Sequence, residues 1–341
     1  MAGSRRSADA GHEGARIISL RGGSKGPIPP VDLGSVREAQ ARLRPYVRRT
    51  PIMQAWLPST LSATTVPLYL KLENLQVAVG ADVRGVLNFA LSLPPEQLAR
   101  GLVTTSWGNV GAAVAYVGHL LGISTTVYML RPFASREAVT AIERWGAEVI
   151  VLGTPWRTTE RIASEHAADL GISYVHPSAD PAVIAGNASV ALDVIESIPD
   201  LAVLVVPASA GGGLISGVAL AAKETKPAIR VIGVEVDRVA RYFHSRQANR
   251  PADVPQPPVD VGPRPPAPIN FELVQRYVDE LVLVSDQEII ETLQILWQEL
   301  EVSASQFGVT SVVAVLMNRI RPPTSGSLCA VVSASGEEGL F

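Results

Sequence analysis

Apolar positions first recur with helical spacing just past Ser35, where Val36, Ala39, Leu43 and Val47 lie three or four residues apart. Ser35-Val36-Arg37-Glu38 has capping-box spacing, a hydroxyl and a carboxylate three residues apart that satisfy free N–H groups, and predicts the helix start at Ser35. From Leu68 onward the pattern alternates. Strand-length apolar runs at Leu68–Leu72, Leu102–Thr105, Thr125–Met129 and Val149–Leu152 enclose helical patterns at Val110–Leu121 and Arg136–Trp145, each stopped by a glycine, Gly122 or Gly146. The second half repeats the rhythm with strand Ala202–Val206, helix Leu214–Ala222, strand Val231–Val236, helix Asp286–Glu301 and strand Leu328–Val332. Such alternation predicts βαβ units, hence an α/β fold with mostly parallel sheets covered by helices.

Two stretches break the rhythm. Residues 1–34 are polar, rich in Gly, Ser and Arg, and aperiodic, so they are expected to be a disordered tail. Arg5–Arg6 resembles the start of an export signal, but only Ile17, Ile18, Ser19 and Leu20 follow as an apolar stretch, too few for one, and a cytoplasmic chain is expected. Pro251–Pro268 holds eight prolines, which excludes a helix or a central strand and leaves a stiff surface excursion or a loop over a cleft.

Composition narrows the function classes. The 341 residues are 47% hydrophobic and 18% charged with a net charge of −3, enough for one large or two modest domains and without a basic field for nucleic acid. No apolar run approaches the roughly 20 residues of a membrane-spanning helix. A single cysteine, Cys329, excludes internal disulfides and a cysteine-based zinc cluster. The five histidines show no metal-ligand spacing, and His176 is expected to cap or pack. Of 29 basic residues only Lys25, Lys71, Lys223 and Lys226 are lysines.

In open α/β sheets ligands sit at the C-terminal ends of strands, where helix starts present unpaired N–H groups. Two turns of small residues fit that place: Thr105-Ser106-Trp107-Gly108-Asn109-Val110-Gly111 and Ser209-Ala210-Gly211-Gly212-Gly213. Neither is a Walker A loop nor a G-x-G-x-x-G fingerprint.

An ordered set of segments resembles the threonine/serine ammonia-lyase branch of the pyridoxal-phosphate enzymes with the tryptophan-synthase-β-like fold. It comprises Arg49-Thr50-Pro51, Leu68 to Gln76 (LYLKLENLQ), Arg84-Gly85 with Leu87-Asn88, Ser106 to Asn109 (SWGN) and Gly146 to Val149 (GAEV). It continues with His176-Pro177, Asp180 to Gly186 (DPAVIAG), Gly211 to Leu214 (GGGL) and Gly233 to Glu235 (GVE), and so covers nearly all the ordered chain. The resemblance implies two α/β domains, about 35–103 with 179–341 and about 104–178, around an active-site cleft. It implies pyridoxal phosphate with its phosphate in the glycine turn Gly211–Gly213 and its ring hydroxyl near Asn109. It also implies a serine facing the ring nitrogen, Ser335 matching best with Ser333 as the other register. Ser106 and Gly108 would then line the substrate-carboxylate site, and a homodimer, or a heteromer with a related subunit, would be the assembly.

The chain departs from that family at two places, the first being the glycine turn, where Ser209 and Ala210 precede three glycines instead of the usual run of four. The family's Schiff-base lysine stands two residues before the Arg-Gly pair; here that residue is Asp82. Val110 replaces a histidine of the family, and Trp107 stands where relatives carry a small residue, placing an indole in the substrate pocket. None of the four lysines is well placed as a substitute. A carboxylate forms no imine and is a weak base unless burial raises its pKa. Three readings stay open: a non-catalytic relative binding an amino-acid-like ligand or a protein partner, with the cofactor noncovalent if bound; an enzyme of altered chemistry using Asp82 as acid or base; and a working lyase that recruits Lys71 or handles the cofactor externally. Asp82 could instead simply pair with nearby Arg84.

Overall fold

Runs of aliphatic, mostly β-branched residues become strands where both faces can be covered, and that condition is met throughout the chain's two sheets. The computed structural model describes residues 17–19, 30–58, 65–209, 211–254 and 265–336. Its strands are β1 (Ile17–Ser19), β2 (Ile52–Gln54), β3 (Leu68–Leu72), β4 (Leu102–Ser106), β5 (Thr125–Leu130) and β6 (Glu148–Leu152). They continue with β7 (Ser173–Val175), β8 (Leu201–Pro207), β9 (Arg230–Val236), β10 (Glu280–Val284) and β11 (Ser327–Val332). The helices are α1 (Leu33–Leu43), α2 (Asp82–Ser92), α3 (Pro95–Leu98), α4 (Asn109–Leu121), α5 (Arg136–Glu143) and α6 (Trp156–Leu170). After them come α7 (Pro181–Ser197), α8 (Gly213–Thr225), α9 (Arg241–Gln247), α10 (Pro268–Tyr277), α11 (Asp286–Leu300) and α12 (Thr310–Leu316). All seven predicted strands and the four helical patterns beyond the first are present, with ends displaced by no more than three residues.

A seven-stranded sheet runs in the order β1-β10-β9-β8-β11-β3-β2, parallel except for its two edge strands. A separate four-stranded parallel sheet, β6-β5-β4-β7, spans Leu102 to Val175. One face of the larger sheet packs on α1, α7, α8 and α10, the other on α11 and α12. The smaller sheet lies between α4 and α5 on one face and α6 on the other.

Three expectations are corrected. The first helix begins at Leu33, capped by Asp32, whose carboxylate accepts the Ser35 N–H at 2.8 Å while the Ser35 hydroxyl accepts the Asp32 N–H at 3.1 Å. Ser35 thus supplies the third-position half of the box, because a better acceptor stands three residues before it. Within the supposed disordered tail, Ile17–Ser19 pairs antiparallel with Leu281 and its neighbours, two β-branched residues covering the otherwise open edge of β10; residues 1–16 and 20–29 lie outside the described residues. Most of the proline-rich segment, 255–264, also lies outside them, and its last residue, Pro268, opens α10 at the position where a missing N–H is harmless.

The chain's charged interior sits between β3, α2 and α7. Glu73, wholly buried, accepts from Arg84 Nε and Nη2, both at 2.8 Å, and from the Thr50 hydroxyl. Arg84 Nη2 also donates to Asp193 at 2.8 Å and Nη1 to Ser189 at 3.1 Å. Lys71 Nζ, likewise buried, donates to the Thr50 carbonyl at 3.0 Å and lies 3.4 Å from Asp193 and 3.5 Å from Glu73. The two guanidinium and ammonium charges therefore meet two carboxylates, as a buried network requires.

Candidate active site

The strand–helix turns singled out in the sequence meet at one cavity. It lies at the C-terminal ends of β4, β8 and β11, the place where a parallel sheet offers helix starts to a ligand. From β4 come Thr105 to Val110; from β8, Pro207, Ser209, Gly213 and Leu214; from β11, Ser333 and Ala334. Ala81 and Asp82 open α2 on the same cavity, and Pro177, Asn187, Ser305, Phe307 and Gly308 complete it.

Three helices begin here, α2 after Ala81, α4 after Gly108 and α8 after Gly212; none is capped by its own N-cap residue, although the Ser106 hydroxyl takes one first-turn N–H of α4. The first N–H groups of a helix lack intrahelical partners, and its dipole places about half a positive charge at that end. No lysine or arginine lines the cavity among the described residues, and Asp82 is its only ionisable lining residue.

Asp82 does not pair with Arg84, contrary to the simpler expectation: Arg84 turns into the buried network with Glu73 and Asp193. No hydrogen bond or ion pair reaches the Asp82 carboxylate among the described residues, and burial pushes its pKa up to about 6. Lys71 is not at the cavity but locked in that same network. Lys223 pairs with Asp279 at 2.6 Å and Lys226 donates to the Pro199 carbonyl, while Lys25 lies outside the described residues.

The remaining expected residues divide. Ser106, Trp107, Gly108 and Asn109 all line the cavity. The Ser106 hydroxyl is spent on its own turn, accepting the Gly108 and Gly111 N–H groups, each at 2.9 Å, and donating to the Gly108 carbonyl at 3.0 Å. Among the described residues no hydrogen bond engages the Asn109 side chain. The Trp107 ring rests edge-on against buried Trp156, their centroids 4.6 Å apart, and so forms a firm apolar wall. Of the three glycines only Gly213 lines the cavity. Gly211 and Gly212 face Tyr242, whose hydroxyl donates to the Gly211 carbonyl at 2.8 Å; a Cβ on Gly212, at φ +81°, would fall 1.9 Å from that oxygen. Ser333 lines the cavity and Ser335 does not. His176 caps its turn, Nδ1 accepting the Ser178 and Ala179 N–H groups at 3.1 and 2.9 Å, in keeping with the expected role.

Asn187, Ser305, Phe307 and Gly308 belong to the cavity although sequence reasoning did not find them. Asn187 sits on α7, buried all round and hence without helical periodicity, where its carbonyl oxygen accepts the Gly85 N–H at 3.0 Å. Ser305 to Gly308 enters only through tertiary pairing, with Ser305 N–H donating to the Ala334 carbonyl and Ser333 N–H to the Gly308 carbonyl.

Among the described residues no cluster of three or more His, Cys, Asp or Glu could hold a metal, and no helix is long and apolar enough to cross a membrane. The chain is 35% identical over 310 residues to L-threonine ammonia-lyase of Thermotoga maritima, covering 90% of this chain and 75% of that one. It is 34% identical over 292 residues to serine racemase of Arabidopsis thaliana, covering 85% and 87%. The solved structure of maize serine racemase superposes with a TM-score of 0.82 at 28% identity, covering 89% of this chain and 93% of that one. A family model described as pyridoxal-phosphate dependent enzyme matches residues 43–334, and the chain belongs to that family.

Proposed function

We propose that this chain is a degenerate relative of the threonine and serine ammonia-lyases, one that has lost the Schiff-base lysine and serves as a ligand-binding or partner subunit without the family's elimination chemistry. The observation that carries this reading is the group facing the cavity at position 82: a carboxylate, with every described lysine engaged elsewhere. Family membership implies pyridoxal phosphate. The residues fit that cofactor at one end only. The helix starts at Asn109 and Gly213 suit its phosphate, whereas no described amine is at hand to condense with its aldehyde. Any binding is therefore noncovalent, and no step is routed through the cofactor. The same reading makes the chain cytoplasmic and a homodimer or a heteromer with a related subunit, which light scattering of the protein alone and with such a subunit would distinguish.

The test is an absorption spectrum of the purified chain titrated with pyridoxal phosphate, before and after borohydride, followed by peptide mapping. Absence of any trapped lysine adduct is expected. A trapped lysine, in the pocket or recruited to it, refutes the reading and returns the chain to the working lyases. One observation favours a second reading, an enzyme of altered chemistry: an unpartnered carboxylate with its pKa near 6 is poised to take and return protons. That reading requires Asp82→Asn to abolish a measured turnover while leaving the fold intact.

A further inference from the structure

The cavity's charge is unusual for a pocket built around a phosphate. Two helix starts, those of α4 and α8, each equivalent to about half a positive charge, line it and supply N–H donors, while the start of α2 carries Asp82 itself. A phosphate monoester carries about −1.5 to −2 near neutrality, of which those two helix ends offset about one charge. The Asp82 carboxylate then stands over, with no basic side chain lining the cavity among the described residues and no partner of its own. An aldehyde phosphate would leave this negative charge uncompensated in a partly dry site. A ligand that carries its own cation would not. Trp107, stiffened by Trp156, and Phe307 line the same cavity and offer flat apolar walls suited to an aromatic ring.

We infer that the cavity takes an aromatic phosphate monoester bearing a protonated amine, with the phosphate on the helix starts and the ammonium on Asp82, in preference to the corresponding aldehyde. The inference rests on the noncovalent reading above and names the ligand class that reading left open. In this arrangement the aspartate is the feature that selects the ligand: it turns a site for a carbonyl that must react into a site for an amine that need only bind. A charge-assisted hydrogen bond in a partly buried site corresponds to about 10- to 100-fold in affinity.

Four probes isolate the two contacts: pyridoxamine 5′-phosphate, pyridoxal 5′-phosphate, pyridoxine 5′-phosphate and unphosphorylated pyridoxamine. Each is titrated into the full chain at neutral pH, followed by quenching of tryptophan fluorescence and checked by calorimetry. The amine phosphate is expected to bind at least about tenfold more tightly than each of the others. In Asp82→Asn and Asp82→Ser, with far-ultraviolet circular dichroism unchanged, its advantage over the alcohol is expected to shrink to about twofold or less. The inference fails if aldehyde or alcohol binds as tightly as the amine, if the preference survives both substitutions, or if none of the four binds. Should the variants not fold, the wild-type series alone decides. A borohydride-trapped lysine adduct with the aldehyde is a separate outcome: it refutes the noncovalent reading on which the inference rests, whereas equal noncovalent binding refutes the inference alone.

Discussion

Replacing Asp82 by asparagine should make the protein more stable at neutral pH, although it removes a charge from the candidate site. In the fold, burial raises the carboxyl from its usual 3.8 to about 6 with no partner in return. A carboxylate whose folded pKa is raised favours folding relative to its ionised state below pH 4. That contribution is lost as pH climbs from about 4 through about 6, because the unfolded chain ionises first. At 1.36 kcal/mol per pKa unit the shift amounts to about 3 kcal/mol above pH 7. The first-turn position of Asp82 on α2 offsets part of it, since an acidic group at a helix start contributes about 0.3–1 kcal/mol. Asp82→Asn is thus expected to stabilise the fold by about 2 kcal/mol at pH 7 to 8, with the gain fading towards zero near pH 4. Urea unfolding of the two proteins side by side from pH 4 to pH 8, read by tryptophan fluorescence, measures the difference. A variant no more stable than the parent at pH 7, or a gain that does not shrink on acidification, would falsify the claim that the carboxylate is desolvated and unpaired.

Other perturbations test the frame around the site. Glu73→Gln strips one of two carboxylates from a buried network that holds Arg84 and Lys71, and should destabilise by about 3–5 kcal/mol in the same urea assay; a loss under 1 kcal/mol would mean water enters there. Gly212→Ala forces a side chain to a positive φ and against the Tyr242 hydroxyl, so a loss of about 1–3 kcal/mol is expected, along with weaker binding of phosphate ligands; unchanged unfolding and binding would remove Tyr242 as the backing of that turn. Asp82→Lys puts an amine on the cavity wall, and pyridoxal phosphate with borohydride should then give an adduct mapped to position 82; no adduct there would count against a cofactor-shaped cavity.

What the sequence displayed and what it concealed follow from how each element is buried. Strands such as Ala202–Val206 and Val231–Val236 are legible because a central parallel strand must be apolar on both faces, whatever its neighbours. Helix α7 was not legible for a related reason: from Val183 to Val194 every residue is buried, packed among α1, α2 and α8, so no polar stripe marks its period. Turns were readable where small residues join strand to helix, as at Ser106–Asn109. The roles within them were not, because they depend on partners far along the chain. Whether Ser333 or Ser335 faces the cavity depends on β11 pairing with β3 and β8, and whether Gly212 faces a ligand depends on Tyr242. The pairing of Arg84 was misleading for a geometric reason as well. Asp82 is near it in sequence, but Glu73 and Asp193 are near it in space.

That geometry also accounts for how position 82 can differ while the scaffold persists. Residues two apart on a helix point on the order of 200° from each other, so Asp82 and Arg84 leave α2 in opposite directions. Asp82 opens on the cavity, where no hydrogen bond or ion pair from the described residues reaches its carboxylate. Arg84 closes the ion network joining β3, α2 and α7, and Gly85 follows where a Cβ would meet the Val183 carbonyl at 2.8 Å and the Asn187 side chain at 2.7 Å. The Arg-Gly pair is thus held by packing and charge on the interior face of α2, independently of any reaction on the other. A reactive residue at position 82 contributes nothing to that interior face, and its replacement leaves the sheet, the helix starts and the cavity in place. Under the proposed reading, the features that make the chain resemble a lyase are those the fold itself needs, and the feature that differs is the one only a reaction would need.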